Sequence, residues 1–392
     1  MKYLGIERKL LESKAAIHTA REIKQQPELW IEIFDDFKKN CNDLKRFISS
    51  DCGEINKIIL TGAGTSAFIG HSLKGKFFRS FGIDTRSIAT TDLVTHPLDF
   101  INKQDRMLLV SFARSGNSPE SMGAAELCDQ IASTCVHIVI TCDAKGALCN
   151  FETKSPKFTI LLPGASNDRS LAMTSSYSGM LLAGILVTSY NNTTALEAQI
   201  NVLASYGTKV ISRYNKALVD ISNKPFDRAV FLGSGPFFGT ACEAHLKMLE
   251  LTGGRVAGTM ESYLGFRHGP KAIVNENTLM VYFLSNNPYV NQYEIDLIKS
   301  IQEDSQPMWS IAVSAGPLET SINVDTEMVF TGGDSILEEL LAVAYILPIQ
   351  ILSFHKSLNY GLGPDKPSIN GAIHRVVQGV KIYSLEEVVN ED

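Results

Sequence analysis

The sequence predicts an α/β protein built from two tandem parallel-sheet units. Short, nearly continuous apolar runs alternate with stretches of helical spacing, which is typical of parallel strands that helices cover on both faces. The same series of runs restarts in the second half of the chain, and a Gly-x-Gly turn follows the first strand of each series. This restart predicts an internal duplication, with one sheet in each half.

Helical segments precede the first strand. The pattern predicts an opening helix that ends near Pro27 and a second helix over about Glu28–Phe47, with Leu29, Ile33 and Phe37 at helical spacing. A proline inside a helical pattern often ends the helix, because it lacks an amide hydrogen and its ring clashes with the preceding turn. Residues 1–50 are therefore predicted to form an N-terminal helical segment.

Eight apolar runs are predicted strands. In the first unit, residues 51–205, they are Ile58–Leu60, Met107–Phe112, Val136–Ile140 and Phe158–Leu162. In the second unit, residues 206–392, they are Ala229–Leu232, Thr278–Leu284, Ser310–Val313 and Met328–Thr331. A helical stretch around 195–223 is expected to join the units, and a long helix is predicted at about Ile336–Ser357. The tail from Gly361 to Gln378 is predicted to be an extended segment that returns to the surface or to a site.

The composition favours a globular protein and argues against a nucleic-acid-binding or membrane-spanning one. The chain is 44% hydrophobic and 20% charged, with a formal net charge of −6, which is ordinary for a globular protein with large cores. The acidic balance argues against a nucleic-acid partner. A charged N-terminus and short or interrupted apolar stretches argue against a signal peptide and a membrane span. Seven scattered cysteines without a Cys-x-x-Cys pair are typical of the reducing cytoplasm.

Hydroxyl-rich helix starts in the first half predict phosphate binding, because a helix N-terminus offers unpaired amide groups to an anion. They are Gly64-Thr65-Ser66, the stretch Arg114-Ser115-Gly-Asn117-Ser118, and Thr174-Ser175-Ser176. The dinucleotide fingerprint fails, because Ala67 stands at its third glycine position, and a Walker lysine is missing. No nucleotide or metal cofactor is therefore predicted. In the second half Ser285-Asn-Asn-Pro288 replaces the corresponding turn, so its anion site is predicted to be lost.

The second half instead carries a candidate acid and base. Lys247 and Glu250 are three residues apart and share one face of a predicted helix, so the ammonium can hold the carboxylate ionised. His268, before Gly269-Pro270, titrates near neutral pH. Together they predict proton transfer on a phosphorylated small molecule. Spacing alone leaves the alternative of a solvated ion pair and a turn histidine that caps a helix.

Taken together, these motifs resemble those of the sugar isomerase (SIS) superfamily, which includes the isomerase half of glucosamine-6-phosphate synthase. The likeness is greatest to the AgaS-type galactosamine-6-phosphate deaminase/isomerases, also labelled tagatose-6-phosphate ketose/aldose isomerases. It covers nearly the whole chain, beginning with Glu22–Pro27. The resemblance implies two SIS subdomains, each a flavodoxin-like three-layer sandwich. It also implies that the substrate's phosphate and hydroxyls contact Thr65, Ser66, Ser115, Ser118 and Thr174–Ser176.

The resemblance also implies catalytic roles. Glu250 would move a proton between C1 and C2 of an open-chain sugar phosphate, and Lys247 would tune it. His268 would assist ring opening from a neighbouring subunit, so a homodimer or larger assembly with a shared active site is expected. The implied substrate is a hexosamine or hexose 6-phosphate.

Two departures from the synthase matter. Where the synthase has a C-terminal lysine that forms a Schiff base, this chain offers His374 or Arg375. An arginine stays protonated, so Arg375 is expected to act as an electrostatic clamp. Lys2 follows Met1, where the synthase's glutaminase domain has a nucleophilic cysteine. The chain is therefore expected to release ammonia rather than fix it.

The expected function is the conversion of galactosamine 6-phosphate to tagatose 6-phosphate and ammonia, in amino-sugar catabolism in the cytoplasm. The galacto over gluco preference rests on family likeness alone. Two alternatives stay open: a ketose/aldose phosphate isomerase that does not deaminate, and a sugar-phosphate-binding regulator without catalysis. A transcriptional regulator would need a basic helix-turn-helix, which the first fifty residues do not supply convincingly.

Overall fold

The N-terminal segment is a hairpin followed by one long helix. The computed structural model describes residues 1–304, 306–331, 336–368, 371, 373–377 and 379–385. Strands β1 (Lys2–Tyr3) and β2 (Ile6–Glu7) pair in antiparallel fashion, and helices α1 (Arg8–Ser13) and α2 (Ile17–Asp51) follow them.

Helix α2 contradicts the prediction that a helix ends near Pro27, because it runs unbroken through that residue. Pro27 cannot donate a hydrogen bond to the carbonyl of Ile23, which is four residues earlier. The side-chain amide of Gln26 donates to that carbonyl instead, at 3.2 Å. The orphaned carbonyl is thus satisfied within the same helix, and the helix continues.

The first sheet has five parallel strands in the order β4-β3-β5-β6-β7. Its strands are β3 (Lys57–Thr61), β4 (Asp84–Ser87), β5 (Arg106–Ala113), β6 (Thr134–Thr141) and β7 (Lys157–Leu161). The helices around it are α3 (Thr65–Phe81), α4 (Thr90–Thr95), α5 (Pro119–Ile131) and α6 (Ser175–Thr188), with short 3₁₀ turns at Pro97–Asp99 and Gly164–Ser166. All four predicted strands of this half are present, and the fifth, β4, is an additional edge strand.

A helical connection joins the two sheets, as predicted. It consists of α7 (Thr193–Lys209), a π-helical turn at Val210–Tyr214 and α8 (Asn215–Ser222). The second sheet contains β8 (Arg228–Leu232), β9 (Ala257–Glu261), β10 (Thr278–Phe283), β11 (Trp309–Ser314) and β12 (Thr326–Val329). Its helices are α9 (Pro236–Leu251), α10 (Tyr263–Phe266), α11 (Pro288–Asp304), α12 (Glu338–Tyr345) and α13 (Leu347–Asn359), with a 3₁₀ turn at Pro270–Ile273.

The two sheets repeat one topology. The second has the order β12-β11-β10-β8-β9 with all strands parallel, so each sheet follows the flavodoxin-like strand order 2-1-3-4-5. The turn after the first strand is also repeated: Gly64 has φ 54° and ψ −126°, and Gly235 has φ 57° and ψ −126°. Only glycine adopts this backbone conformation readily. The internal duplication predicted from the sequence is therefore confirmed.

One core joins the two halves. Helices α3 and α9 pack against each other, and a single buried apolar cluster includes residues from both sheets. The predicted boundary between residues 205 and 206 falls inside α7. The sheets, rather than that boundary, define the two halves.

The most apolar helices lie at the centre of this core. Among the described residues, the run Glu338–Asn359 is long and apolar enough to cross a membrane, but its most apolar window is completely buried inside the protein. The predicted single helix at Ile336–Ser357 is in fact α12 and α13, interrupted at Ile346. Pro348 explains the interruption, because it has no amide hydrogen to donate to the carbonyl of Ala344.

Candidate active site

A polar cleft lies at the carboxyl edge of the first sheet, where α/β sheets commonly bind ligands. It brings together four residues that the sequence predicts for substrate binding: Ser66, Arg114, Ser115 and Ser118. Its other lining residues are Ala63, Phe112, Ala113, Gly116, Ser121, Met173, Arg375, Val376 and Val377. As predicted, the tail returns to a site, because residues 375–377 form one wall of this cleft.

The Ser115–Ser118 turn leads directly into α5. Ser118 caps the helix, since its hydroxyl accepts a hydrogen bond from the Ser121 amide at 3.3 Å, and its Oγ lies 2.7 Å from the Oγ of Ser121. Gly116 has φ +65°, a conformation that favours glycine. Asn117, a predicted ligand, is exposed, and its side-chain oxygen accepts a hydrogen bond from the amide of Ala147 at 2.9 Å. The structure therefore uses Asn117 to hold the neighbouring loop.

Arg114 is buried and connects three segments around the cleft. Its Nη1 donates to the carbonyls of Ser170 and Leu171 at 3.2 and 3.1 Å, and its Nη2 donates to the carbonyl of Arg375 at 2.5 Å. Burial lowers the pKa of Arg114 and the nearby Arg375 guanidinium lowers it further, whereas charges that include the Glu250 carboxylate raise it. The last effect shows that Glu250 of the second half lies close enough to Arg114 for their charges to interact.

The third hydroxyl-rich helix start, Thr174–Ser176, is hydrogen-bonded to a carboxylate of the chain itself. Asp168 accepts hydrogen bonds from the amides of Thr174, Ser175 and Ser176 at 2.7, 3.2 and 2.9 Å, and from the Ser176 hydroxyl at 2.6 Å. All three hydroxyl residues are fully buried. A carboxylate of the chain thus binds the start of α6, in the place where the sequence analysis expects a phosphate. These residues do not line the cleft, and the structure favours a supporting role for them.

Helix α9 carries the predicted base and its cation. Lys247 is fully buried, and its Nζ lies 2.5 Å from Glu250 Oε2. The same Nζ donates to Thr65 Oγ1 at 3.3 Å, although the two residues are 182 positions apart. Burial lowers the pKa of Lys247, but the carboxylates of Glu243 and Glu250 outweigh burial and raise it. The lysine is therefore a stable cation that joins Glu250 of the second half to the start of α3 in the first.

Glu243 is a residue of this site that the sequence analysis missed. It is fully buried, and its Oε1 lies 3.4 Å from Lys247 Nζ. Burial raises its pKa to about 8, against the opposing effect of Lys247. Lys247 therefore lies between two carboxyl groups, and its contact with Glu250 is the shorter of the two. The available signal was the Glu243–Lys247 spacing of four residues, which places both side chains on one helix face.

His268 lies on the surface. Arg267, His268, Gly269 and Pro270 are all exposed after α10, and among the described residues the hydrogen bond of His268 is a backbone one to Gly265, at 3.0 Å. Within this protomer the structure does not bring His268 to the Lys247–Glu250 pair through any described contact.

Arg375 is anchored to the loop before α6. Its guanidinium donates to the carbonyl of Asp168 at 2.8 and 2.6 Å and to the Asn167 side chain at 2.6 Å. The Arg375 side chain, which was predicted to clamp the substrate, therefore binds the loop before α6. Arg375 also lines the cleft. His374 lines a neighbouring cavity with Arg169, Asp365 and Lys366. Of the two tail candidates, Arg375 is the one that borders the serine-rich cleft.

The corresponding turn of the second half binds carboxylates. The Ser285 amide donates to Glu294 Oε2 at 2.8 Å, and the Ser285 hydroxyl donates to Glu338. Carboxyl groups of the chain already accept hydrogen bonds from these donors, so the donors are not free to bind a phosphate. This geometry is consistent with the prediction that the second half has no anion site.

The buried Glu294 predicts a pH-dependent stability. Burial raises its pKa to about 8 from the ordinary value of 4.5, so the folded state holds a proton that the unfolded state releases between those pH values. Stability from this group is fully present below pH 4.5 and is lost as pH rises to about 8. We expect Glu294→Gln, which mimics the protonated form, to flatten the decline of the free energy of unfolding between pH 5 and 8.5. Urea titrations across that range measure it, and an unchanged slope would refute the assignment.

Comparison with known proteins finds relatives along nearly the whole chain. The family model described as SIS domain matches residues 54–190. The D-galactosamine-6-phosphate deaminase AgaS of Shewanella sp. (strain ANA-3) is 38% identical, over 94% of this chain and 92% of its own length. The protein of the same name from Escherichia coli is 36% identical, over 93% and 95%. The crystal structure of tagatose-6-phosphate ketose/aldose isomerase from Escherichia coli has a TM-score of 0.85 at 34% identity, over 94% of this chain and 97% of that one.

Proposed function

Because this chain belongs to the AgaS family of D-galactosamine-6-phosphate deaminases, we propose that it converts D-galactosamine 6-phosphate and water into tagatose 6-phosphate and ammonia. The contacts of Lys247 support this proposal, because its ammonium pairs with Glu250 and also donates to Thr65 at 3.3 Å. A substrate whose phosphate lies among Ser66, Ser115 and Ser118 would extend toward the Glu250 carboxylate. The chain is an enzyme that works on a sugar phosphate, and we place it in the cytoplasm.

The proposed chemistry moves two protons. In the open-chain aldose, Glu250 removes the proton from C2, which is acidified by the C1 aldehyde, and returns it to C1. A second proton passes from the amino nitrogen to the C1 oxygen, which becomes a hydroxyl. The product is an imine at C2. Water adds to this imine, and the C–N bond breaks to release ammonia and leave the ketose. The phosphate is held far from the reacting carbons, so it positions them without taking part in the reaction.

Lys247 positions the proposed base. Its ammonium lies 2.5 Å from Glu250 Oε2 and 3.4 Å from Glu243 Oε1, so the lysine is held between two carboxyl groups of its own helix. Arg114 and Lys247 are the cations that would face the negative charges of the substrate phosphate and of Glu250.

We further propose that His268 acts on ring opening in the active site of a partner subunit, within a homodimer or larger assembly. Its exposure in the single protomer supports this arrangement. Leu264, four residues earlier, is also 50% exposed, which suits a surface that another copy covers.

A mixed-dimer experiment tests the shared site. Glu250→Gln and His268→Gln protomers carrying different affinity tags are co-expressed, and dimers that carry both tags are isolated. We expect each parent homodimer to lose about 10²-fold or more in ammonia release. The mixed dimer should regain about half of wild-type activity, because one of its two symmetric sites has both residues intact. Activity no higher than that of the parents would place His268 in its own protomer's site.

The substrate assignment has a direct test. Purified protein is incubated separately with galactosamine 6-phosphate, glucosamine 6-phosphate and the corresponding hexose 6-phosphates, and ammonia and ketose 6-phosphate are both measured. We expect equal amounts of ammonia and ketose from the galacto sugar. Ketose without ammonia from a hexose 6-phosphate would identify a non-deaminating isomerase, and tight binding without turnover would identify a regulator.

A further inference from the structure

A second cluster of reactive side chains lies at the opposite edge of the first sheet. Cys135 and His137 are two residues apart on β6, so their side chains share the face that packs on α5. Asp129, near the end of α5, reaches the same point. The sulfur, a ring nitrogen and a carboxylate oxygen of these residues all lie within 4.8 Å of one another. The cluster is separate from the cleft, because it is at the amino end of β6, roughly 13–20 Å from the carboxyl end at about 3.3 Å per residue.

From this donor set we propose that Asp129, Cys135 and His137 bind a single divalent transition-metal ion, with zinc as the preferred species. One thiolate, one imidazole and one carboxylate are typical zinc ligands, whereas calcium and magnesium prefer oxygen alone. Zinc lies about 2.0–2.3 Å from such atoms, so tetrahedral ligands are separated by roughly 3.3–3.8 Å. The observed spacing needs only small side-chain movements to reach that geometry.

The surroundings hold these ligands in place. Thr153 donates to Asp129 Oδ2 at 2.6 Å, and Ser155 donates to Oδ1 at 2.8 Å. Phe151 packs edge-on against the His137 ring, with centroids 5.8 Å apart. Hydrogen bonds to a ligand carboxylate of this kind fix its orientation and strengthen metal sites. The Asp129 side chain is 21% exposed, which leaves a route for the ion and a fourth position for water.

The same residues also form a hydrogen-bonded cluster without an ion, in which His137 Nε2 lies 2.8 Å from Asp129 Oδ1. Metal binding replaces that contact. The Cys135 thiol releases its proton to solvent, the neutral imidazole offers its nitrogen lone pair, and the carboxylate is already an anion. One proton leaves for each ion bound, so affinity should rise up to tenfold per pH unit while the thiol is protonated.

The test uses the full-length protein, stripped with a chelator and dialysed against buffered Zn²⁺ or Co²⁺. We expect one ion per chain and, with Co²⁺, the absorption band of a thiolate-to-cobalt charge transfer. Cys135→Ser and His137→Gln should each weaken zinc binding at least about tenfold. Cys41→Ser, which removes a half-buried thiol on α2, is the matched control and should bind zinc as the wild type does.

Two results would overturn the proposal: wild-type protein that stays metal-free under these conditions, or a Cys135→Ser variant with wild-type affinity. Circular dichroism and ammonia release identify variants that have folded, since the cluster lies far from the catalytic cleft. Should either variant fail to fold, the cobalt spectrum of the wild-type protein decides on its own. A spectrum without the charge-transfer band would mean that the cluster only links α5, β6 and the loop 151–156 by hydrogen bonds.

Discussion

Replacing Glu250 with glutamine should lower kcat for ammonia release by about 10²–10⁴-fold, the usual contribution of a general base. Glutamine keeps the size of the side chain and can still accept a hydrogen bond from Lys247, so the fold should survive. KM should change little, because the proposed phosphate contacts lie in the other half of the molecule. Steady-state kinetics with galactosamine 6-phosphate measure both quantities.

A matched control separates loss of the base from loss of a negative charge. Glu126→Gln removes an exposed carboxylate from α5, and this variant should keep wild-type kinetics. A proton-exchange assay adds a second readout, since Glu250→Gln should also stop exchange of the substrate's C2 hydrogen with solvent deuterium. Ammonia release at the wild-type rate in Glu250→Gln would remove that residue from the mechanism.

Replacing Lys247 with methionine should lower kcat for ammonia release. Without the ammonium 2.5 Å away, the Glu250 carboxylate loses the partner that holds it in position. Because a misplaced catalytic group costs about 10²-fold in rate, kcat should fall by about that factor. The contact with Thr65 is lost as well, so KM for the phosphorylated substrate should also rise.

Lys356→Met is the appropriate control for this variant. Lys356 is another buried lysine, and its Nζ lies 3.9 Å from the centroid of the Phe226 ring, in the part of the second half built around α13. Its loss should affect stability and leave kcat unchanged. If Lys247→Met also kept the wild-type kcat, the lysine would be a structural residue only.

The strands differ in how well the sequence predicts them, for a physical reason. Every predicted strand is buried or half-buried in a sheet, and the apolar run itself is the signal. The edge strands β4 and β9 were missed, because Asp84–Ser87 and Ala257–Glu261 are polar or small and partly exposed. Such strands form because their backbone hydrogen-bonds to a neighbouring strand. The pattern of side chains along the sequence does not reveal that pairing.

The site residues divide in a similar way. Ser66, Arg114, Ser115 and Ser118 line one cleft, whereas Thr174–Ser176 resemble them in sequence and contact Asp168 instead. A hydroxyl-rich helix start predicts that its donors will bind an anion. It does not say whether that anion is a substrate or a carboxylate of the same chain.

The sequence by itself determined the α/β class, the duplication and the pairing of Lys247 with Glu250, because all three follow from short-range spacing along the chain. Only the tertiary structure decided that Lys247 reaches Thr65 and that Asp168 accepts the hydrogen bonds of the third hydroxyl-rich helix start. These contacts depend on how α3 packs against α9 and how the loop before α6 folds back. Packing of that kind brings together residues that are distant in sequence, and local spacing carries no information about it.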